Sequence, residues 1–190
     1  PFIVLADADV PAAAKTAAVA RTINAGQSCI CAKRFIVEAP VYETFLAQLT
    51  EAMKAIRVGD PFDPATDIGP QARVELRDEL HGQVKQAIAQ GARPVLGCTV
   101  PAGRGAFYPA SVLADVSPDN VAAREELFGP VAVVMRARSP DEAVALANDS
   151  KFGLGASLWT KDPAKIERLV PLIEAGAVFV NGLVKSDPRL

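Results

Sequence analysis

Val131-Ala132-Val133-Val134-Met135 is an uninterrupted apolar run, and five such residues without alternation read as a strand buried on both faces. Ser139-Pro140-Asp141-Glu142 follows. A capping serine, a proline in the first turn and acidic residues beside it mark the start of a helix, which reaches about Asn148. Ala156-Ser157-Leu158-Trp159-Thr160 then reads as a strand, Pro163 to Glu174 as a helix, and Ala177-Val178-Phe179-Val180-Asn181 as a strand. Strands and helices alternating in this way imply an α/β fold of three layers, α/β/α, with a mainly parallel sheet covered on both faces.

The same alternation extends back to the start of the chain. Pro1-Phe2-Ile3-Val4-Leu5 is a short apolar strand. Asp9 can cap a helix that holds Pro11 in its first turn, runs to about Asn24 and stops at Gly26. Arg34-Phe35-Ile36-Val37 is a strand, and Val41 to Ile56 carries Phe45, Leu49, Met53 and Ile56 at helical spacing. A turn-rich loop spans Gly59 to Pro70, a helix runs from about Gln71 to Gln90, Pro94-Val95-Leu96 is a short strand, and Thr99 to Gly105 is loop. The first residues lie inside a strand and the last, Lys185 to Leu190, form a loop. That pattern reads as one domain, residues 1–190, cut from a longer protein.

The 190 residues include half hydrophobic and 22% charged side chains with a net charge of -2, ordinary for a globular domain. No apolar run approaches the roughly 18 residues that span a bilayer, and no clustered basic surface suits nucleic acid. Neither partner is expected, and cytoplasmic residence is the default. Lys33 and Arg34 are the nearest approach to a basic cluster and read as the flank of a strand. Three cysteines and a single histidine fit neither a disulfide framework nor a zinc site, so no metal is expected. His81 falls in a polar helical stretch and reads as a solvated face residue.

Chemistry concentrates in Asn24-Ala25-Gly26-Gln27-Ser28-Cys29-Ile30-Cys31-Ala32-Lys33-Arg34. A small-residue turn there presents Cys29 on a loop between a helix and a strand, where a thiol can meet substrate. By residue type alone, Cys29 and Cys31 could equally be small buried hydrophobes. Glu126 could be a solvated acidic residue beside Arg124, and Phe128 a core ring. Gly153-Leu154-Gly155 and Gly103-Arg104-Gly105 each lack a third glycine opening a helix and read as turns rather than phosphate cradles.

Gly26-Gln27-Ser28-Cys29 resembles the Gly-Gln/Glu-x-Cys signature of the aldehyde dehydrogenase superfamily. Glu126-Leu127-Phe128-Gly129-Pro130 resembles its Glu-x-Phe-Gly-Pro motif. Asn148 with Phe152-Gly153-Leu154 resembles its Asn-x-x-x-(Phe/Tyr)-Gly-Leu segment, and Pro1 to Asp9 resembles the stretch after its Glu-Leu-Gly-Gly motif. The resemblance implies the catalytic-domain fold of that family and oxidation of a small-molecule aldehyde with NAD or NADP. It implies Cys29 as nucleophile, Glu126 as partner of the nicotinamide ribose and Phe128 as the ring near the nicotinamide. The dinucleotide-binding domain and general base would lie upstream, a further segment downstream, and the parent enzyme would be a homodimer or homotetramer. The chain alone is then expected to be inactive.

The wording from Gly26 to Val37 is most similar to bacterial succinate-semialdehyde dehydrogenases. Thr22 and Ile23 depart from that pattern, where an aromatic and a carboxylate-binding Arg are common. Recognition of the substrate carboxylate would fall to Ser186, Arg189 or residues outside this chain. Cys31 resembles a second cysteine that can form a reversible disulfide with the nucleophile. Two other functions fit the same thiol: an acylating relative that passes the acyl group to coenzyme A, and a non-catalytic thiol or interaction domain.

Overall fold

A computed structural model describes residues 1–186. Seven strands form one sheet: β1 (Phe2–Val4), β2 (Arg34–Glu38), β3 (Arg93–Leu96), β4 (Ser111–Ala114), β5 (Val131–Ala137), β6 (Ala156–Trp159) and β7 (Val178–Val180). Their order is β3-β4-β5-β2-β1-β6-β7. Only β3 runs antiparallel to its neighbour; the other pairings are parallel.

The period-two alternation of side chains divides the core into two layers. Phe2, Val4, Phe35, Val37, Val112, Val134 and Trp159 face one way, against helices α1 (Val10–Thr22) and α2 (Tyr42–Lys54). Ile3, Ile36, Leu113, Val133, Met135 and Leu158 face the other way. There they meet α3 (Val74–Ala89), α4 (Val121–Arg124), α5 (Pro140–Asn148) and α6 (Pro163–Leu169). The fold is the three-layer α/β/α arrangement expected from the alternation.

Element boundaries shift for local reasons. α1 is capped by the Asp9 carboxylate, which accepts from the Ala12 N–H at 3.1 Å, but it stops at Thr22 because Asn24, Ala25 and Gly26 turn left-handed. α3 starts at Val74 rather than Gln71. The Gln71 N–H bonds the Ala106 carbonyl at 2.9 Å, and its side chain is committed to the Ala25 carbonyl. α6 gives way to a 3₁₀ turn at Val170–Leu172, where Pro171 has no N–H to continue the helix. β4 and α4 have no counterpart in the sequence reading. β4 is four residues long and fully buried; α4 is a single turn held by its Asn120 cap.

At the carboxyl end of the sheet, two carboxylates are held by the protein's own polar groups. The Asp7 carboxylate, just past β1, accepts from Thr160 Oγ1 at 2.6 Å, from the N–H groups of Lys161 and Asp162 at 2.9 and 3.0 Å, and from Lys165 Nζ at 2.7 Å. Past β4, Asp115 is held by Tyr42 and Arg93. The amino end of the same strands is where the candidate site lies.

Candidate active site

The thiol loop is a strained turn locked in place from several sides. Asn24, Ala25 and Gly26 have φ of 50°, 54° and 77° in succession, and for a residue with a Cβ each such conformation costs on the order of 1–3 kcal/mol. The Asn24 and Gln27 side chains each bond the other's main chain, at 3.1 and 3.3 Å. The Gln71 amide donates to the Ala25 carbonyl at 3.1 Å, and the Ala72 N–H donates to Gln27 Oε1 at 2.8 Å. Gly26 is required twice over: its φ suits glycine, and a Cβ there would stand 2.2 Å from the Gly129 carbonyl carbon. The turn that follows leaves Cys29 exposed.

Arg21 lies beneath this loop, fully buried. Its guanidinium donates to the carbonyls of Ala32 at 3.0 Å, Gly26 at 2.7 Å and Leu127 at 3.5 Å. It therefore ties α1, the thiol loop and the Leu127–Pro130 segment together. Burial pulls its pKa down to about 10, opposed by Cys31 and Glu126, so it remains charged at neutral pH. Among the described residues no acceptor pairs with its Nε.

Cys29, Lys33, Glu126, Lys151, Phe152 and Leu154 are among the walls of a cleft of about 330 Å³ at the amino ends of β1, β2, β5 and β6. Lys33 Nζ pairs with Glu126 Oε1 at 2.9 Å and bonds the carbonyls of Ser28, Cys29 and Cys31 at 3.0, 3.4 and 3.1 Å. Burial and the nearby Arg21 lower the Lys33 pKa, against the pull of Glu126. Phe128 is 43% exposed, and its ring centroid lies 5.8 Å from Lys33 Nζ.

The structure corrects some of the sequence readings and locates the others. Glu126 is not partnered by Arg124, which pairs instead with Asp149 at 2.7 Å and Asp119 at 3.4 Å. Phe128 is not a core ring. Lys33 is not a mere strand flank; Arg34 lies inside β2, as the strand reading of Arg34 to Val37 has it, and donates to the carbonyls of Leu146 and Ala147 at the end of α5. His81 is half-buried, with Nδ1 3.1 Å from the hydroxyl of buried Tyr108. Cys31 is buried and free, its thiol donating to the Ile23 carbonyl at 3.3 Å. Thr22 and Ile23 line a separate open groove between α1 and α2. Ser186 is exposed and does not line the thiol cleft; Arg189 lies outside the described residues. Among the described residues no group of three or more His, Cys, Asp or Glu could hold a metal ion, and no helix is long and apolar enough to cross a membrane.

Sequence reasoning passed over Lys33, Arg21 and Gln71. Lys33 left one trace: a cation placed four residues after the thiol and next to a buried strand. A family model for the aldehyde dehydrogenase family matches residues 1–190. The chain belongs to that family. Among curated aldehyde dehydrogenases, it is 50% identical over 190 residues to the succinate-semialdehyde dehydrogenase [NADP(+)] of Mycobacterium avium (strain 104), covering all of this chain and 40% of that protein. It is 47% identical to the succinate semialdehyde dehydrogenase [NAD(P)+] Sad of Escherichia coli (strain K12), again over the whole chain and 41% of the relative. The solved structure of Gox0499 superposes with a TM-score of 0.96 at 40% identity, over all of this chain and 41% of that one. The chain thus spans about 40% of the length of the curated aldehyde dehydrogenases it matches.

Proposed function

We propose that this chain is the thiol-bearing catalytic domain of an NAD(P)-dependent aldehyde dehydrogenase that oxidises succinate semialdehyde, or a similar semialdehyde, to the acid. The observation that carries this reading is the exposed Cys29 in a cleft it shares with Glu126, with Phe128 beside the same lysine. The half-open Glu126 carboxylate, 35% exposed, can accept from ribose hydroxyls, and the exposed Phe128 ring offers an apolar face to a flat heterocycle. The two fit the nicotinamide-riboside end of a dinucleotide.

The Cys29 thiolate adds to the aldehyde carbon, forming a C–S bond while the carbonyl π electrons move to oxygen. The Cys29 N–H, which pairs with no acceptor among the described residues, is available to that oxygen as half of an oxyanion hole. When bound, the dinucleotide supplies the hydride acceptor that turns the thiohemiacetal on Cys29 into a thioester. Water then takes the acyl group and returns the thiol.

The base that activates this water, the second oxyanion donor and most of the dinucleotide surface are assigned to an upstream domain. A further segment downstream completes the enzyme, which assembles as a homodimer or homotetramer. With Ser186 outside the thiol cleft, recognition of the substrate carboxylate is left to Arg189 or to residues beyond this chain. The 190-residue chain alone should therefore show no turnover. The test is NADP⁺ reduction by the full-length protein with succinate semialdehyde, compared with Cys29→Ala. Abolished turnover in the variant supports the reading; a variant retaining half the rate ends it.

A further inference from the structure

The mechanism above leaves Lys33 without a role. Its side chain is only 17% exposed, and its ammonium stands among four oxygens: the Ser28, Cys29 and Cys31 carbonyls and the Glu126 carboxylate. An ammonium has three protons, so four oxygens must share them, and neither the loop nor the carboxylate holds the cation alone.

The other charges near the cleft are engaged elsewhere. Arg21 is spent on the carbonyls of Ala32, Gly26 and Leu127, and Arg34 on those of Leu146 and Ala147. Glu125 accepts from Gln83 Nε2 at 2.9 Å. Lys151, which also lines the cleft, lies 5.3 Å from the Phe152 ring centroid. Cys31 donates to Ile23. Among the described residues, Lys33 is the one cation bonded to both the thiol loop and Glu126.

We infer that Lys33 is a positioning residue whose charge is divided between Glu126 and the thiol loop, so that whatever engages Glu126 sets how strongly the Cys29 thiolate is stabilised. The inference rests on the roles proposed above for Cys29 and Glu126. With no ligand on Glu126, its carboxylate compensates the ammonium at 2.9 Å. When hydroxyl donors take up that carboxylate, less of its charge faces Lys33, and the ammonium's field falls on the loop that carries the sulfur. A nearby positive charge favours the anionic form of a thiol. The nucleophile then sharpens as the second reactant arrives.

The test is the rate at which iodoacetamide alkylates Cys29 at neutral pH in the full-length protein without dinucleotide, followed by mass spectrometry with buried Cys98 as internal reference. Glu126→Gln keeps the shape and removes the charge, and should speed alkylation about three- to tenfold. Lys33→Met should slow it by a similar factor, and the double variant should fall back to the Lys33→Met rate. A merely structural role for the pair predicts the same sign for both single variants, because each breaks one contact. Changes of equal sign, or no change in Glu126→Gln, overturn the inference. Should Lys33→Met fail to fold, Glu126→Gln still reads the sign. Lys33→Arg, which keeps the charge, should stay within about twofold of the wild type. If Cys29 in the unaltered protein reacts no faster than Cys98, the proposed function fails. If Cys29 reacts fast but the signs agree, only the role of Lys33 does.

Discussion

At the carboxyl ends of β1 and β6, one carboxylate accepts four hydrogen bonds from its own chain. At the amino ends of β1, β2, β5 and β6 lie an open cleft, an exposed thiol and three consecutive left-handed residues. Ligands in open parallel sheets usually sit beyond the carboxyl ends, and here the carboxylate past β1 is already saturated by its own chain. The difference shows that an open cleft and strained backbone need not lie at the carboxyl end of a parallel sheet. What matters is which end leaves side chains unspent and backbone held under strain.

Removing the thiol at the amino end gives the largest effect. Cys29→Ala should lower the rate of aldehyde oxidation by the full-length protein on the order of 10³-fold or more, with an unchanged melting temperature. A small loss of rate would break the contrast between the two ends at once.

Gly26→Ala attacks the same end through its backbone. The added methyl meets Gly129 at 2.2 Å, at a φ of 77°. The expected cost is about 3 kcal/mol of stability, read by thermal or denaturant unfolding and accompanied by slower thiol labelling.

Asp7→Ala strikes the carboxyl end and should cost about 2 kcal/mol at neutral pH while leaving Cys29 labelling unchanged. Burial alone would raise the Asp7 pKa, but the bonds from Lys165, Thr160 and the Lys161 N–H outweigh it and hold the carboxyl below the usual carboxylate range. A depressed folded-state pKa means the contribution is complete above the ordinary value of 3.8 and is lost as pH falls through the lower folded value. Stability measured against pH should therefore lose part of its acid limb in Asp7→Ala. An unaltered acid limb would contradict the assignment.

The mildest change separates the two lysines. Lys165→Met, at the half-exposed pair with Asp7, should cost about 0.5 kcal/mol and leave thiol labelling untouched, whereas Lys33→Met should alter labelling.

The sequence made the fold legible wherever burial covered both strand faces or a helix carried its own start signal. Val131 to Met135 and the Ser139 cap are such cases. β4 escaped because its four residues follow a long loop with no preceding helix to announce them. Cys29, Glu126 and Phe128 were legible as motif members, although residue type alone favoured a core ring and an Arg124 partner. Lys33 and Arg21 were not, because their roles come from carbonyls that converge only after folding. No spacing along the chain reports that Gly26, Ala32 and Leu127 aim their oxygens at one guanidinium.

Gly26 and Gly129 meet main chain against main chain. No rotamer lies between them to absorb a displacement, so movement of the Phe128–Pro130 turn passes directly to the segment bearing the sulfur. A side chain at Gly26 cannot be accommodated by trimming its partner, since Gly129 has nothing left to remove. Any library that diversifies this domain should find Gly26 refusing substitution with no compensating second change, whereas a side chain at Gly129 meets the end of Leu80 and a smaller residue there should relieve it.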